Sequence, residues 1–226
     1  MQILVSMEPV KRDNCTRAVG FIKFGEITVD FVSLVEVYKG CFILNMPSKV
    51  TECDKDKGRL IFENIAFPLT RDLRESLTNA AVESLNKGQP TVLTDRQPGR
   101  LMVEAVGFKE PYMNRVGRGW LTICDYFVIH DFFINTKPDG SLYVTFPFIK
   151  TSARLSNGRS VYKQILWMDR GFRQQVSNAL IEEYKKDMLL RKADHLSIKS
   201  RIDEGLKRSK ISDSNIKTAG RDEVIL

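Results

Sequence analysis

The feature that most limits how this chain can fold is an internal repetition at a spacing of about 100 residues. Three pairs of segments match in the same order: Cys41–Pro47 with Ser141–Pro147, Gly58–Phe67 with Gly158–Trp167, and Leu77–Ala80 with Val176–Ala179. Matches that keep their order along the chain indicate duplication rather than chance. The sequence therefore predicts two copies of one module.

Each copy contains several strand patterns followed by one helix pattern. Ile3, Val5 and Met7 alternate with less apolar residues, as in a strand with one buried face. Later segments are rich in Val, Ile and Phe and are separated by Asn, Asp and Gly, which favours hairpins and antiparallel pairing. Thr70 and Asp169 precede apolar residues at helical spacing and are predicted to be N-caps.

The predicted fold class is α+β, with two repeats, each an antiparallel β-sheet followed by one C-terminal α-helix, that form an intrachain pseudo-dimer. The predicted boundaries are a first module at 1–88, a linker at 89–99, a second module at 100–190 and a charged tail at 191–226. Taken together with Gly88 just before it, the linker contains two prolines and two glycines. The tail is polar with a weak apolar series, which is compatible with a helix or with disorder.

Several classes of protein are disfavoured by what the sequence lacks. No apolar run approaches the roughly 18 residues of a membrane span, and no signal peptide is recognisable. The four cysteines are widely spaced and the two histidines, His130 and His195, lie far apart. No metal, cofactor or catalytic nucleophile is therefore predicted. We expect a cytoplasmic protein that is not an enzyme and does not bind membranes.

The positive charge of the chain is unevenly distributed. The net charge is +7, yet residues 1–90 contain 12 Lys and Arg against 12 Asp and Glu. The whole excess therefore lies in the rest of the chain. An excess of cations suits an anionic partner, although it can also serve solubility alone.

The motif Asn45–Lys49 follows an apolar strand and precedes an isoleucine-rich strand, Pro68 and a helix. This order resembles the stage V sporulation protein G family. The signature of that family is an apolar strand, Met-Pro-Ser-Lys, a polar loop, a short strand ending near Ala-x-Pro, and a closing helix. Ala66–Pro68 stands at the Ala-x-Pro position. Phe127–Asp131 is similar to the family's Val-Val-His-Asp strand, and Asp30 holds the same place in the first copy.

The resemblance implies a bacterial protein that binds DNA and RNA and regulates gene expression in septation, sporulation or virulence. Family members are single modules that pair through their sheets, so two modules in one chain are expected to form the equivalent of that dimer. Phe146–Lys150 replaces Met-Pro-Ser-Lys in the second copy, and Val50 follows the lysine of the first copy in place of a basic residue. Either change would weaken nucleic-acid binding. The two-module chain could then have a role other than nucleic-acid binding.

The loops after these motifs differ in charge between the two copies. The second loop, 149–163, has four cations and no acid: Lys150, Arg154, Arg159 and Lys163. The first loop, 49–63, has four cations and four acids: Lys49, Lys55, Lys57 and Arg59 with Glu52, Asp54, Asp56 and Glu63. Phosphate contacts need uncompensated cations. The second loop is therefore the stronger candidate, with Lys49 and Arg59 as weaker ones. A loop that only keeps the protein soluble is the alternative.

Cations also stand at both helix starts. Arg170 and Arg173 open the second helix as Arg71 and Arg74 open the first. Cations in a first turn oppose the helix dipole, so another partner must favour them. A phosphate would do so, and so would a nearby acid such as Asp169.

Four aromatic residues could stack on nucleic-acid bases: Tyr143, Tyr162, Trp120 and Trp167. Because Trp167 matches Phe67 in the repetition, we expect it to pack in the core. His130 lies in an apolar strand and is expected to be structural.

The leading functional prediction is a regulator that binds DNA or RNA through phosphate contacts from basic loops. The alternative is a protein–protein interaction or septation-related adaptor without nucleic-acid binding. Further self-association through sheet edges is possible in either case.

Overall fold

The computed structural model describes residues 1–11, 15–54, 59–94 and 100–219. These residues contain fifteen β-strands and two α-helices. The chain divides into two compact units, Met1–Tyr184 and Lys185–Leu226. All fifteen strands belong to the first unit.

The helices and strands follow one another in two runs along the chain. The first run is β1 (Gln2–Pro9), β2 (Thr16–Phe24), β3 (Ile27–Tyr38), β4 (Cys41–Asn45), β5 (Ser48–Asp54), β6 (Arg59–Asn64), β7 (Ala66–Pro68) and α1 (Arg71–Lys87). The second run is β8 (Thr91–Thr94), β9 (Leu101–Tyr112), β10 (Arg115–Ile123), β11 (Phe127–Thr136), β12 (Leu142–Thr145), β13 (Phe148–Arg154), β14 (Ser160–Gln164), β15 (Leu166–Trp167) and α2 (Arg170–Ala219).

Two antiparallel sheets exchange strands between the halves of the chain. The first sheet has the order β15–β3–β2–β1–β8, with β4 also paired to β3. The second has the order β12–β11–β10–β9, with β7 also paired to β11. Strand β7 thus leaves the first half for the second sheet, and β15 leaves the second half for the first sheet.

Matching backbone hydrogen bonds fix both exchanged strands. The amide of Asp30 donates to the carbonyl of Ile165 over 2.8 Å, and the amide of His130 donates to the carbonyl of Ile65 over 2.9 Å. Ile65 and Ile165 are fully buried. Each exchanged strand therefore fills the core beneath the other half.

The predicted fold class is wrong. The described residues are mostly β, in curled antiparallel sheets with two helices, and do not form two repeats that each end in their own helix as an intrachain pseudo-dimer. The repetition predicts local elements correctly because alternation and capping are local properties. It does not specify that β7 and β15 pair with strands of the opposite half.

Two β-hairpins lie outside these sheets. Strand β5 pairs with β6, and β13 pairs with β14. The segment predicted to be a linker contains β8, which pairs with β1 at the edge of the first sheet. Residues 95–99 of that segment lie outside the described residues, as do 220–226 of the predicted tail. Helix α2 continues through the tail to Ala219.

The core runs continuously between the two sheets. Phe24 of β2 and Phe127 of β11 are buried, with ring centroids 4.5 Å apart. Helix α1 buries Leu77, Ala80 and Ala81. Its buried Ser84 accepts a hydrogen bond from the amide of Met7 in β1.

The predicted helix starts are confirmed. Thr70 Oγ1 accepts a hydrogen bond from the amide of Leu73, and Asp169 Oδ1 accepts one from the amide of Phe172. Each bond satisfies an amide that the first turn of a helix leaves unpaired. The first helix ends at Gly88, whose φ of 65° is the left-handed conformation that glycine tolerates.

The first part of α2 lies close against β10. A Cβ added to Gly119 would lie 2.4 Å from Leu180 Cδ2, and one added to Gly117 would lie 2.8 Å from the ring of Tyr184. These two glycines let the helix approach the strand. Among the described residues, no helix is both long enough and apolar enough to cross a lipid bilayer.

Candidate nucleic-acid interface

Two β-bulges create the positions around which the candidate sites are built. In β3 the pairing with β2 shifts between Val29 and Val32, which leaves Asp30 and Phe31 in the bulge. In β11 the pairing with β10 shifts in the same way around His130 and Asp131. Phe31 and Asp131 have φ values of 63° and 70°. Bulges redirect side chains and are common at functional sites.

At the bulge in β11, Lys49 belongs to an ion cluster. Its Nζ lies 2.6 Å from Asp131 Oδ1 and 3.5 Å from Glu63 Oε2. Its side chain is 31% exposed and that of Asp131 is 14% exposed. Two carboxylates thus compensate the lysine of the Met-Pro-Ser-Lys motif. Of these two carboxylates, Glu63 is one of the loop acids on which the sequence ranking of Lys49 depends, whereas Asp131 lies outside that loop.

His130 completes this cluster. One ring nitrogen, Nδ1, lies 3.4 Å from Asp131 Oδ1, and the other is hydrogen-bonded to the carbonyl of Asn64. Burial alone would raise the pKa of Asp131, but the hydrogen bonds from His130 and Lys49 and the charge of Lys49 outweigh burial and lower it. His130 therefore has structural partners on both nitrogens, as the sequence predicts.

Among the described residues, no ion cluster surrounds the equivalent position at the bulge in β3. In the backbone register of the two hairpins, Lys49 lies opposite Glu63, and Ile149 lies opposite Lys163. Directly after β6 and β14, the backbone amides of Ile65 and Ile165 donate hydrogen bonds to the carbonyls of Pro47 and Pro147. Ile149, rather than Lys150, therefore occupies the place of Lys49. Phe31 occupies the place of Asp131, and Lys163 Nζ lies 6.0 Å from its ring centroid.

Trp167 is exposed at this second site. Its side chain is hydrogen-bonded to the carboxylate of Asp30, which opposes the rise in the pKa of Asp30 caused by burial. The expectation that Trp167 packs in the core is wrong, since 58% of the residue is exposed. Its counterpart Phe67 contacts His130, with ring centroids 5.9 Å apart.

Hairpin β13–β14 carries the four strongest sequence candidates. Within the described residues, none of them takes part in an ion pair, and all are exposed: Lys150, Arg154, Arg159 and Lys163. Arg154 Nη1 donates to the carbonyl of Gly158 across the turn. Lys150 lies opposite Tyr162, and Lys163 lies opposite Ile149. Because directly paired residues share a face, the hairpin presents a cation on each face.

Arg173 connects the start of α2 with this hairpin. Its Nη1 donates to Gln164 Oε1 over 3.0 Å, and its guanidinium lies 4.2 Å from the ring centroid of Phe146. Arg170, three positions earlier, is exposed. The hydrogen bond from Arg173 thus joins the helix start to the hairpin, whose Lys150 and Lys163 lie on opposite faces. We call these six cations, on β13–β14 and the first turn of α2, the basic surface.

The remaining predicted residue, Arg59, begins β6, and its side chain lies outside what the structure describes. Phe31 and Asp131 are site residues that sequence reasoning did not select. Asp131 ends the segment that resembles the family's Val-Val-His-Asp strand, and the structure places Phe31, not Asp30, at the matching position of β3. A left-handed conformation at Phe31 is not predictable from local sequence.

In the described part of the chain, no three His, Cys, Asp or Glu side chains come together as they would around a metal ion. Comparison with family models, curated proteins and solved structures gave no match. The resemblance to the stage V sporulation protein G family therefore remains a prediction from the motifs.

Acid should destabilise the protein through the cluster at Asp131. A carboxyl whose pKa is lower in the folded state contributes stability above its unfolded pKa, and this contribution is lost as the pH falls through the folded pKa. We expect Asp131→Asn to cost about 1–2 kcal/mol at pH 7 by removing a charged hydrogen-bond acceptor. Asn tolerates the positive φ of this position.

Urea unfolding at pH 7 and pH 3 measures this effect. The difference between native protein and Asp131→Asn should shrink at the lower pH, because the native carboxyl is then being protonated. An equal difference at both pH values would mean that the ionised carboxylate does not contribute.

Proposed function

We propose that the protein is a non-enzymatic cytoplasmic regulator that binds DNA or RNA through phosphate contacts from the basic surface. One observation carries the proposal: in the described residues none of the six cations of the basic surface has a carboxylate partner, and a hydrogen bond from Arg173 to Gln164 joins the two elements that contain them. The resemblance of the motifs to the stage V sporulation protein G family supports the same function.

The contrast between the hairpins supports a specific role for the basic surface. If the cations of both hairpins served only solubility, we would expect no difference between the hairpins in how many cations are ion-paired. Instead, Lys49 in hairpin β5–β6 is compensated by Asp131 and Glu63, whereas Lys163, opposite the equivalent position, lies beside the apolar ring of Phe31. Unpaired cations bind phosphates without first breaking an ion pair.

Replacing four cations of hairpin β13–β14 by alanine should weaken binding to all sequences alike: Lys150, Arg154, Arg159 and Lys163. Phosphate contacts position a protein without reading bases. At about 0.5–1 kcal/mol for each exposed contact, four contacts correspond to a loss of about 30-fold or more. Fluorescence anisotropy with labelled single- and double-stranded DNA and RNA measures the affinities.

A control variant removes the same charge elsewhere, from four exposed lysines: Lys23, Lys39, Lys109 and Lys137. Both variants have a net charge of +3, four less than the native +7. We expect the control variant to retain most of the affinity. Equal losses from both variants would contradict the proposal, because they would reflect net charge rather than a site.

The alternative function, a protein-interaction adaptor, also has one observation in its favour. Hairpin β5–β6 exposes four apolar residues by 46–62%: Val50, Leu60, Ile61 and Phe62. Clustered exposed apolar residues are typical of protein interfaces. If the native protein binds none of the nucleic acids in the anisotropy experiment, this adaptor function becomes the better account of the structure.

A further inference from the structure

A cavity of roughly 600 Å³ lies beside Phe31. Its walls combine apolar side chains with amides and one cation: Phe31, Ile43, Asn45, Phe62, Asn64 and Arg74. Among the described residues that line it there is no Asp or Glu. The cavity is large enough for a small organic ligand.

This lining fits an unstacked nucleobase. Bases of single strands stack on aromatic side chains and form hydrogen bonds along their edges with polar groups. Phe31 and Phe62 supply aromatic faces and are 37% and 62% exposed. Asn45 and Asn64 carry amides, which both donate and accept hydrogen bonds.

Cations lie where the backbone of such a strand would pass. Lys163 lies beside the ring of Phe31, with Nζ 6.0 Å from its centroid, and Arg74 is part of the wall. Lys163 also belongs to the basic surface. A strand held there by its phosphates could therefore place a base in the cavity without leaving the protein.

The cavity at the other bulge also has aromatic, amide and cationic side chains in its lining, among them Trp120, Asn64 and Arg118, but it contains carboxylates. It has a volume of roughly 670 Å³ and is lined by Lys49, Glu63, His130 and Asp131 among other residues. Its two carboxylates compensate Lys49 and would repel a phosphate backbone. The two bulges have the same place in their strands, yet of these two cavities only the one at Phe31 has no carboxylate among its described lining residues.

We infer that the cavity beside Phe31 binds a base of a single-stranded nucleic acid, so that single strands are preferred over duplexes. The inference rests on the proposed function, because the phosphates are held by the basic surface. Paired bases are stacked inside a duplex and cannot enter the cavity without being unpaired. Trp167 does not line the cavity, but it is exposed and hydrogen-bonded to Asp30, which precedes Phe31 in the chain, so its fluorescence is a probe for a ligand bound near Phe31.

The variant Phe31→Gly tests the inference with little risk to folding. The φ of 63° at Phe31 is strained for an aromatic residue and suits glycine. Loss of one stacking ring should weaken binding to oligothymidylate and oligouridylate of about 12 nucleotides by about 5- to 100-fold. Binding to a duplex of similar length should change by less than about 2-fold, since its phosphate contacts remain.

Met113→Gly is the matched control. Met113 is also apolar, is 85% exposed and has a φ of 54°, but it lies in the turn between β9 and β10. This variant should leave both affinities unchanged. In a Trp120→Phe background, where Trp167 is the only tryptophan, single strands should quench fluorescence and duplexes should not.

The outcomes separate this inference from the proposed function. If Phe31→Gly lowers the affinity for single strands and for duplexes equally, or lowers neither affinity, the inference is wrong. The proposed nucleic-acid binding would still stand. Unquenched Trp167 fluorescence on binding of a single strand would also contradict it. If the native protein binds neither ligand, the proposed function itself fails.

Discussion

Residues 1–94 and residues 95–226, produced separately, should each fail to give a folded monomer. Each half would lose the strand that the other half supplies: β15 beside β3 in the first, and β7 beside β11 in the second. The first half contributes Ile65 and Ala66 and the second contributes Ile165 and Leu166, all at most 1% exposed. Burial of each large apolar side chain contributes about 1.5–3 kcal/mol, and a domain has about 5–15 kcal/mol in total.

Co-expression of the two fragments is the control. Together they contain every strand, so a folded complex of one copy of each should form, and circular dichroism and light scattering should detect it. A fragment alone should be unfolded or self-associated. A monomeric fragment that unfolds cooperatively would contradict the importance of strand exchange.

The second large loss of folding stability is expected on substitution of Gly119, where α2 contacts β10. A Cβ there would lie 2.4 Å from Leu180 Cδ2 and 2.9 Å from the carbonyl oxygen of Glu104. Gly119→Ala should therefore cost about 1–3 kcal/mol through overpacking. Urea unfolding, with an unchanged m-value, measures the loss.

A double-mutant cycle with Leu180→Ala identifies the cause. Leu180 is fully buried, so Leu180→Ala alone should cost about 2–5 kcal/mol by leaving a cavity. In the double variant the new methyl group of residue 119 enters that cavity, so the loss should be smaller than the sum of the two single losses. Additive losses would mean that the clash with the helix is not the cause.

The fold was predictable from the sequence where local properties determine it. The N-caps at Thr70 and Asp169 follow from residue type and spacing, and most strands follow from alternation. The pairing of β7 and β15 was not predictable in this way. These strands are three and two residues long, and their partner residues lie about 60 positions or more away along the chain. Such short segments contain too little pattern to specify a distant neighbour.

The candidate site also has features that were predictable from the sequence and features that were not. The charge difference between the two loops is visible in the sequence, and the structure gives it a physical basis through Asp131, 82 positions from Lys49. The sequence around Lys49 does not predict its contact with that carboxylate. The exposure of Trp167 was mispredicted because the repetition aligns it with Phe67, although its edge strand leaves the indole at the surface.

The salt dependence of nucleic-acid affinity tests the central claim most directly. Each phosphate contact contributes about 0.9 to the slope of log affinity against log salt on duplex DNA, and about 0.7 on single strands. Replacing the four cations of hairpin β13–β14 by alanine should therefore flatten the slope by roughly 3. The charge-matched control at Lys23, Lys39, Lys109 and Lys137 should change it far less. An unchanged slope in the hairpin variant, with binding retained, would contradict phosphate binding by the basic surface.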